Sequence, residues 1–294
     1  MPRVCSSLHG LHTLLLALTF ALLAGCSAIR VGYNQADTLL AWMADDYFDL
    51  DAAQKQDFQT RIGRLLKWHR HEQLPDYARF LTEIKQRGQR HLTHDDAAWI
   101  VEGTKARFRV IAQHGARDAA EMLATLTPDN IRALEKQYDK VNQKFVREYK
   151  VKGTPDDRKR ARLERTLKQV RDWAGTLTPA QEERIAALND AIPNADHLRH
   201  QDRQRRQKEF LALLSQRHNK AEFTPRLRAW LTDWEKGRAP EFEKAQTETY
   251  EKRVALYLEV ERMLTAQQRA QVLQKLQDYI DDINALAAQR ATRE

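Results

Sequence analysis

Cys26 is the residue with the most specific chemistry in this sequence, because it ends the run Leu23-Ala24-Gly25-Cys26. Such a run is typical of a lipobox, where a secreted bacterial precursor is cut before a cysteine whose thiol has accepted a diacylglyceryl group. Arg3 and the apolar stretch 11–24 precede it, matching the charged head, short apolar core and small-residue cleavage site of a secretory leader. The apolar stretch is shorter than the roughly 20 residues that a membrane-spanning helix needs. The sequence therefore predicts a lipoprotein signal peptide over residues 1–25 and lipidation of Cys26.

The cysteine content agrees with this interpretation. The other cysteine, Cys5, would be removed with the leader, so no thiol would remain for disulfides, metal ligation or nucleophilic catalysis. Two acyl chains already anchor a protein stably to a bilayer, and residues 26–32 would form the lipidated tether. Ser27 stands where an aspartate retains enteric lipoproteins in the inner membrane. We therefore expect the protein at the periplasmic face of the outer membrane.

A histidine and several carboxylates form the second group that could do chemistry. If the segment before His69 packs antiparallel to its helix, His69 or Arg70 could meet Asp45 or Asp46. A buried imidazole–carboxylate pair can act as a general base, and the catalytic candidates would then be His69, Glu72 and Asp46. The same pair can also be a structural lock between two helices, which is the interpretation we favour.

Metal binding is the third possibility. His91 and His94, and His197 and His200, have the i, i+3 spacing that allows two histidines to share a metal ion. Neither pair has an obvious further ligand nearby in the sequence. The chain also lacks a zincin motif, a glycine-rich phosphate loop and a nucleophile elbow. We expect no metal, no cofactor and no enzymatic activity.

Two aromatic and acidic segments close to the tether carry a family resemblance. One begins with Gly32-Tyr33-Asn34 and continues through Trp42 to a run of aspartates and aromatics, and the other runs from Trp68-His69-Arg70 to Leu74-Pro75. Together with the lipobox they resemble the DUF6279 family of bacterial lipoproteins, best over residues 22–85. The resemblance implies a helical lipoprotein and brings no activity with it. The binding candidates in these segments are Tyr33, Asn34, Asp37, Trp42, Asp45, Asp46, Trp68, His69 and Arg70.

The charge balance bears on the partners. The chain carries a formal net charge of +8, with basic clusters at residues 158–160 and 203–206. A cytoplasmic protein of this kind would suggest nucleic-acid binding, but the predicted compartment argues against that partner. The expected partners are the membrane, through the lipid, and an envelope protein or an anionic envelope polymer. The simpler alternative is that the basic residues line the solvated faces of helices.

The elements that must position all these residues are predicted to be helices. Charged residues make up 31% of the chain, and it has only 10 glycines and 8 prolines, a composition typical of helical proteins. Apolar residues recur every three or four positions, as in Ile131, Leu134, Tyr138, Val141 and Phe145. We predict an all-α fold, an elongated bundle of long antiparallel helices.

Five helix starts share one local pattern, in which a Leu precedes an Asp or Thr cap and a polar residue follows three positions later. They begin at Leu50, Leu92, Leu126, Leu177 and Leu264. Phe223-Thr224-Pro225 is a looser sixth case. The pattern resembles the repeated motif of the periplasmic Spy/CpxP stress proteins, which cradle unfolded or partner polypeptides.

These observations lead to one leading hypothesis and one alternative. The first is a membrane-anchored, non-enzymatic envelope lipoprotein that binds a partner or client through helical faces, with a chaperone-like or assembly role. The alternative is an envelope enzyme with a His/carboxylate site in the first two helical hairpins. The break at Lys152-Gly153-Thr154-Pro155 would divide the body into helical regions 33–152 and 153–294.

Overall fold

The computed structural model describes residues 28–289, so Cys26 and the predicted leader lie outside the described residues. Residues 28–34 are helical, and eleven α-helices follow between residues 36 and 288, with no strand in this part of the chain. Their bounds are α1 Ala36–Phe48, α2 Ala52–Trp68, α3 Leu74–Arg87, α4 His94–Leu123, α5 Pro128–Glu148, α6 Pro155–Ala174, α7 Pro179–Asp190, α8 Asp196–Leu214, α9 Lys220–Thr232, α10 Pro240–Met263 and α11 Ala266–Ala288. A π-helical turn, His69–Gln73, joins α2 to α3. The predicted all-α multi-helix fold is confirmed.

The helices pack so that distant parts of the sequence meet. The most extensive pairings join α3 to α11 and α4 to α9, while α1 packs against α2 and α5. The predicted boundary near Gly153 falls in the connection between α5 and α6. The division into two regions stays a prediction, and the α3–α11 pairing crosses it.

Apolar burial is concentrated in two clusters. One joins α1, α4, α5, α8 and α9 around fully buried residues such as Leu134, Leu214 and Phe223. The other joins α6, α7 and α10 around Ile185 and Leu256. Each cluster collects one stripe from each helix, as amphipathic periodicity requires.

The five predicted helix starts are confirmed as capping boxes, in which the cap side chain and the side chain three residues later bond to each other's backbone. A further box caps α6 through Thr154 and Asp157. The expectation for Phe223-Thr224-Pro225 is wrong, because α9 begins at Lys220 and contains Pro225. The amide of Phe223 already donates to the carbonyl of Asn219 at 2.9 Å, and this earlier start lets Phe223 enter the core.

None of the helices in the described residues is both long enough and apolar enough to cross a bilayer.

Candidate functional site

The junction of α2 and α3 holds the predicted histidine. At this point the helix widens into the π-helical turn, in which the Leu74 amide donates to the carbonyl of His69, five residues earlier. Pro75 follows, and it has no amide of its own to donate. Single π-helical turns of this kind often mark functional positions.

His69 meets a tyrosine. The Tyr33 hydroxyl lies 2.9 Å from His69 Nδ1, and the two rings stack with centroids 5.8 Å apart. Burial lowers the pKa of His69 below its ordinary value, and burial also raises the pKa of Tyr33 to about 12. Both groups are therefore neutral at pH 7 and share one hydrogen bond.

Further rings enclose this pair. Tyr77 packs edge-on against His69, with the ring centroids 5.3 Å apart. Trp68, the residue before His69, also packs edge-on against it. Trp68 in turn stacks on His114 at 3.6 Å, with the ring planes 5° apart. The cluster therefore fastens the first described helical segment to α2, α3 and α4.

The predicted carboxylates lie elsewhere. Asp45 Oδ1 accepts from the Leu50 amide at 3.0 Å and its Oδ2 pairs with Lys55 at 3.0 Å. Asp46 accepts from the Gln137 side-chain amide, and Glu72 is exposed. In the described part of the chain, His69 has no carboxylate partner. His69 is thus locked to the first described helical segment by the Tyr33 hydroxyl, and not by the carboxylate of Asp45 or Asp46 that the sequence suggested.

Arg70 strengthens the same lock. Its guanidinium donates to Asn34 Oδ1 at 2.9 Å and to the Leu286 carbonyl at 3.2 Å, and it lies 4.9 Å from the Tyr33 ring centroid. Arg70 therefore joins the first described segment to the end of α11.

The remaining binding candidates lie on the outer surface of α1. Asp37 is exposed and accepts from the amide of Thr38 at 2.7 Å. Trp42 is 68% exposed, next to the exposed side chains of Leu39 and Met43. These three residues form an apolar patch close to the predicted tether.

A larger apolar feature lies between α2, α4, α8, α9 and the end of α1. It is an open groove of about 280 Å³, which we call the apolar groove. Its walls are almost entirely apolar, formed by Phe48, Phe58, Ile62, Leu65, Ala119, Met122, Leu123, Phe210, Leu227, Trp230 and Leu231. The sequence did not predict the groove, because five helices contribute to it. The sequence does show that Phe58, Ile62 and Leu65 form one apolar helical stripe. In the structure, these three residues are only partly buried.

The polar groups at the groove are internally paired. Arg61 contacts Asp57 at 2.8 Å, Asp118 at 3.0 Å and Glu121 at 2.7 Å, and the hydrogen bond that Arg61 donates to Asp57 is the main reason that the pKa of Arg61 is raised. The exception is Trp230, whose buried indole N–H has no hydrogen-bond partner in the described part of the chain. A buried donor without an acceptor costs about 1–3 kcal/mol.

Comparison with known proteins gives one match. The family model of DUF6279, a family of unknown function, matches residues 46–243. No curated protein and no solved structure matches the chain. Every residue that lines the apolar groove lies within the matched range, whereas Tyr33, Asn34 and Trp42 precede it.

Proposed function

The chain belongs to the DUF6279 family of unknown function, and we propose that it is a lipid-anchored, non-enzymatic protein of the bacterial cell envelope. In this proposal the apolar groove binds apolar segments of an envelope polypeptide, as a chaperone or an assembly factor does. The groove itself is the observation that carries the proposal.

The size and chemistry of the groove suit side chains of a polypeptide. A dry cavity of about 150 Å³ lined by apolar residues holds a benzene molecule, so a groove of about 280 Å³ accommodates one or two large apolar side chains. The paired charges around Arg61 leave the rim without a strong net attraction, which favours apolar over charged occupants.

The anchored location rests on the lipobox and receives support from the first described helical segment and α1. Five exposed apolar side chains lie within the first sixteen described residues, namely Ile29, Val31, Leu39, Trp42 and Met43. Such residues at the predicted tether suit the apolar-to-polar boundary of a bilayer, where tryptophan is favoured.

The anchor is tested by replacing the acylated thiol. We expect a Cys26→Ser variant to lose incorporation of radiolabelled palmitate and to accumulate as the larger, uncut precursor, because the leader is cut only before a cysteine that has accepted the diacylglyceryl group. Substitution of Ser27 by Ala is the matched control and should leave labelling intact. Unlabelled wild-type protein would overturn the envelope assignment.

The groove is tested by filling it. A Cβ added at Gly115 would lie 3.7 Å from Leu65, an ordinary contact, so the rest of a Gly115→Leu side chain would occupy the groove. We expect this variant to need about tenfold more protein to suppress aggregation of reduced insulin, corresponding to a loss of about 1.4 kcal/mol of binding.

Gly63→Leu is the matched control, because a Cβ there meets nothing within 4 Å and Gly63 is exposed on α2. Both substitutions replace a helical glycine, so both gain helix propensity. Thermal melts would verify that both variants fold. If wild-type protein leaves insulin aggregation unchanged, or if both variants act alike, the groove does not bind clients.

A further inference from the structure

A second cleft, between α6, α8 and α10, has the opposite chemistry. It encloses about 250 Å³, and four arginines contribute to its lining: Arg162, Arg165, Arg199 and Arg253. No aspartate or glutamate lines it. Within residues 28–289, none of the four guanidinium groups has a carboxylate within 4 Å. We call this feature the arginine cleft.

Arg162 forms the floor of the cleft and is 5% exposed. Its Nη atoms donate to the carbonyls of Asn189 at 3.0 Å and Pro193 at 3.3 Å. Its Nε is buried and has no hydrogen-bond partner in the described residues. Burying a cation without a counter-charge is costly, and burial accordingly lowers the pKa of Arg162, with Asp196 and Asp190 opposing the shift from outside ion-pair distance. The floor therefore carries a buried positive charge with no carboxylate at ion-pair distance in the described residues.

Two of the other arginines are held in place by an aromatic ring. The guanidinium carbons of Arg165 and Arg199 lie 4.4 Å and 4.9 Å from the centroid of Tyr149, distances typical of cation–π contacts. Tyr149 itself stacks on Phe145 at 4.3 Å. The rim donors are thus positioned before any ligand binds, while Arg253 is exposed at the opposite side.

The positive charge continues beyond the cleft. Tyr149 and Arg199 also line a neighbouring cleft of about 330 Å³ that includes Lys144 and Arg203. Glu148 is the carboxylate of that lining, 3.7 Å from Lys144. Two adjacent cationic sites that share one arginine suit a ligand with two anionic groups.

We propose that the arginine cleft binds a phosphoryl group, and that the neighbouring cleft takes a second anionic group of the same ligand. Guanidinium groups bind phosphate oxygens through paired, charge-assisted hydrogen bonds, and four converging arginines surround a tetrahedral anion more completely than a planar carboxylate. The phosphoryl group belongs either to an anionic phospholipid headgroup or to a soluble phosphate ester. This proposal is independent of the apolar groove.

The test uses the full chain carrying Cys26→Ser, so that no acyl anchor contributes to vesicle binding. Calorimetric titration with pyrophosphate is expected to show saturable binding, with inorganic phosphate weaker. Flotation with phosphatidylglycerol vesicles, against phosphatidylcholine as the blank, distinguishes the two sources. Binding to phosphatidylglycerol assigns a lipid headgroup, and binding to pyrophosphate alone assigns a soluble ester.

Arg199→Gln and Arg253→Gln should each weaken binding about tenfold, the size expected for one charge-assisted contact. Arg228→Gln is the matched control, because Arg228 is an exposed arginine on α9 that makes no ion pair in the described chain. It should change the Kd by less than about twofold. Absence of saturable binding to all three probes, or an equal loss in Arg228→Gln, would overturn the proposal.

A stability measurement guards against misfolding. Arg162→Gln removes bonds to two backbone carbonyls and can fail to fold, so the rim variants carry the test. Without ligand, Arg253→Gln should leave the Tm unchanged or raise it, because it relieves repulsion between like charges. Pyrophosphate should raise the wild-type Tm by mass action, and Arg253→Gln should show a smaller rise. A full rise in that variant would contradict the proposed contact.

Discussion

A Gln268→Ala variant is expected to lose about 2–4 kcal/mol of unfolding free energy, well beyond the cost of one helix cap. Gln268 is 7% exposed, and its amide donates to Thr176 O at 2.8 Å and to Gln181 Oε1 at 3.0 Å. In turn, Gln181 Nε2 donates to Met263 O at 2.9 Å and to Gln268 Oε1 at 2.8 Å. Removing one side chain leaves buried partners unsatisfied, at about 1–3 kcal/mol each.

Denaturant unfolding of four variants, namely Gln268→Ala, Gln181→Ala, their double variant and Thr154→Ala, would check this expectation. Thr154→Ala removes the capping box of α6, whose side chains bond locally, and should cost about 1 kcal/mol. The double variant Gln181→Ala/Gln268→Ala should cost less than the sum of its single changes, since the two amides share their bonds. Additive losses, or a Gln268→Ala cost equal to that of Thr154→Ala, would show that the boxes act separately.

A related but one-way pairing joins two capping boxes at the other end of the chain. Gln54 Nε2 donates to Asn130 Oδ1 at 2.9 Å, and Asn130 Nδ2 donates to the carbonyls of Phe48 and Asp49 at 2.8 Å and 2.9 Å. In both pairs, the side chain three residues after one helix cap donates to a backbone carbonyl that lies just before the start of another helix. The repeated motif is therefore a tertiary lock as well as a local cap.

Local physics explains what the sequence could predict. A capping box lies within four consecutive residues, so each of the five helix starts was readable without knowing the fold. Their pairing was not readable, because Gln54 and Asn130, or Gln181 and Gln268, are brought together by packing alone. The same limit applies to His69, whose partner Tyr33 comes from a different helical segment, while the expected carboxylates Asp45 and Asp46 bond to Lys55 and Gln137 instead.

The arginine cleft shows that a buried arginine is difficult to distinguish from solvated ones in the sequence of a helix. Arg162 looks like one of many solvated arginines around residues 158–165. It nevertheless lies four and eight residues before Thr166 and Val170, and twelve before Ala174, on the stripe that α6 buries. That spacing was available in the sequence, whereas the convergence of Arg199 and Arg253 on the same place depends on how α8 and α10 pack.

Asp96 provides the second large expected effect. Among the residues that follow the cap by three positions in the five predicted motifs, it is the only acidic one, and it is 1% exposed. It has no partner box. Instead it pairs with Arg87 at 2.8 Å and Arg90 at 2.7 Å and accepts from the Thr93 amide at 2.9 Å. The hydrogen bond from Arg90 is the largest reason that the pKa of Asp96 lies far below its usual range.

We expect Asp96→Asn to lower the unfolding free energy at pH 7 by about 2–3 kcal/mol, less than the full cost of breaking a buried ion pair, because Arg90 is half exposed and partly screened. The loss should depend on pH in a defined direction. A carboxylate whose pKa is depressed by folding stabilises the protein above its unfolded pKa of about 3.9 and loses that contribution as pH falls below it. The wild-type advantage should therefore be complete at pH 6 and shrink towards pH 2–3.

Asp95→Asn, an exposed neighbour in the same helical turn, is the matched control and should follow wild type. A difference between wild type and Asp96→Asn that stays constant down to pH 2–3 would mean that shape at this position, and not the charge shared with Arg87 and Arg90, holds the start of α4 in place.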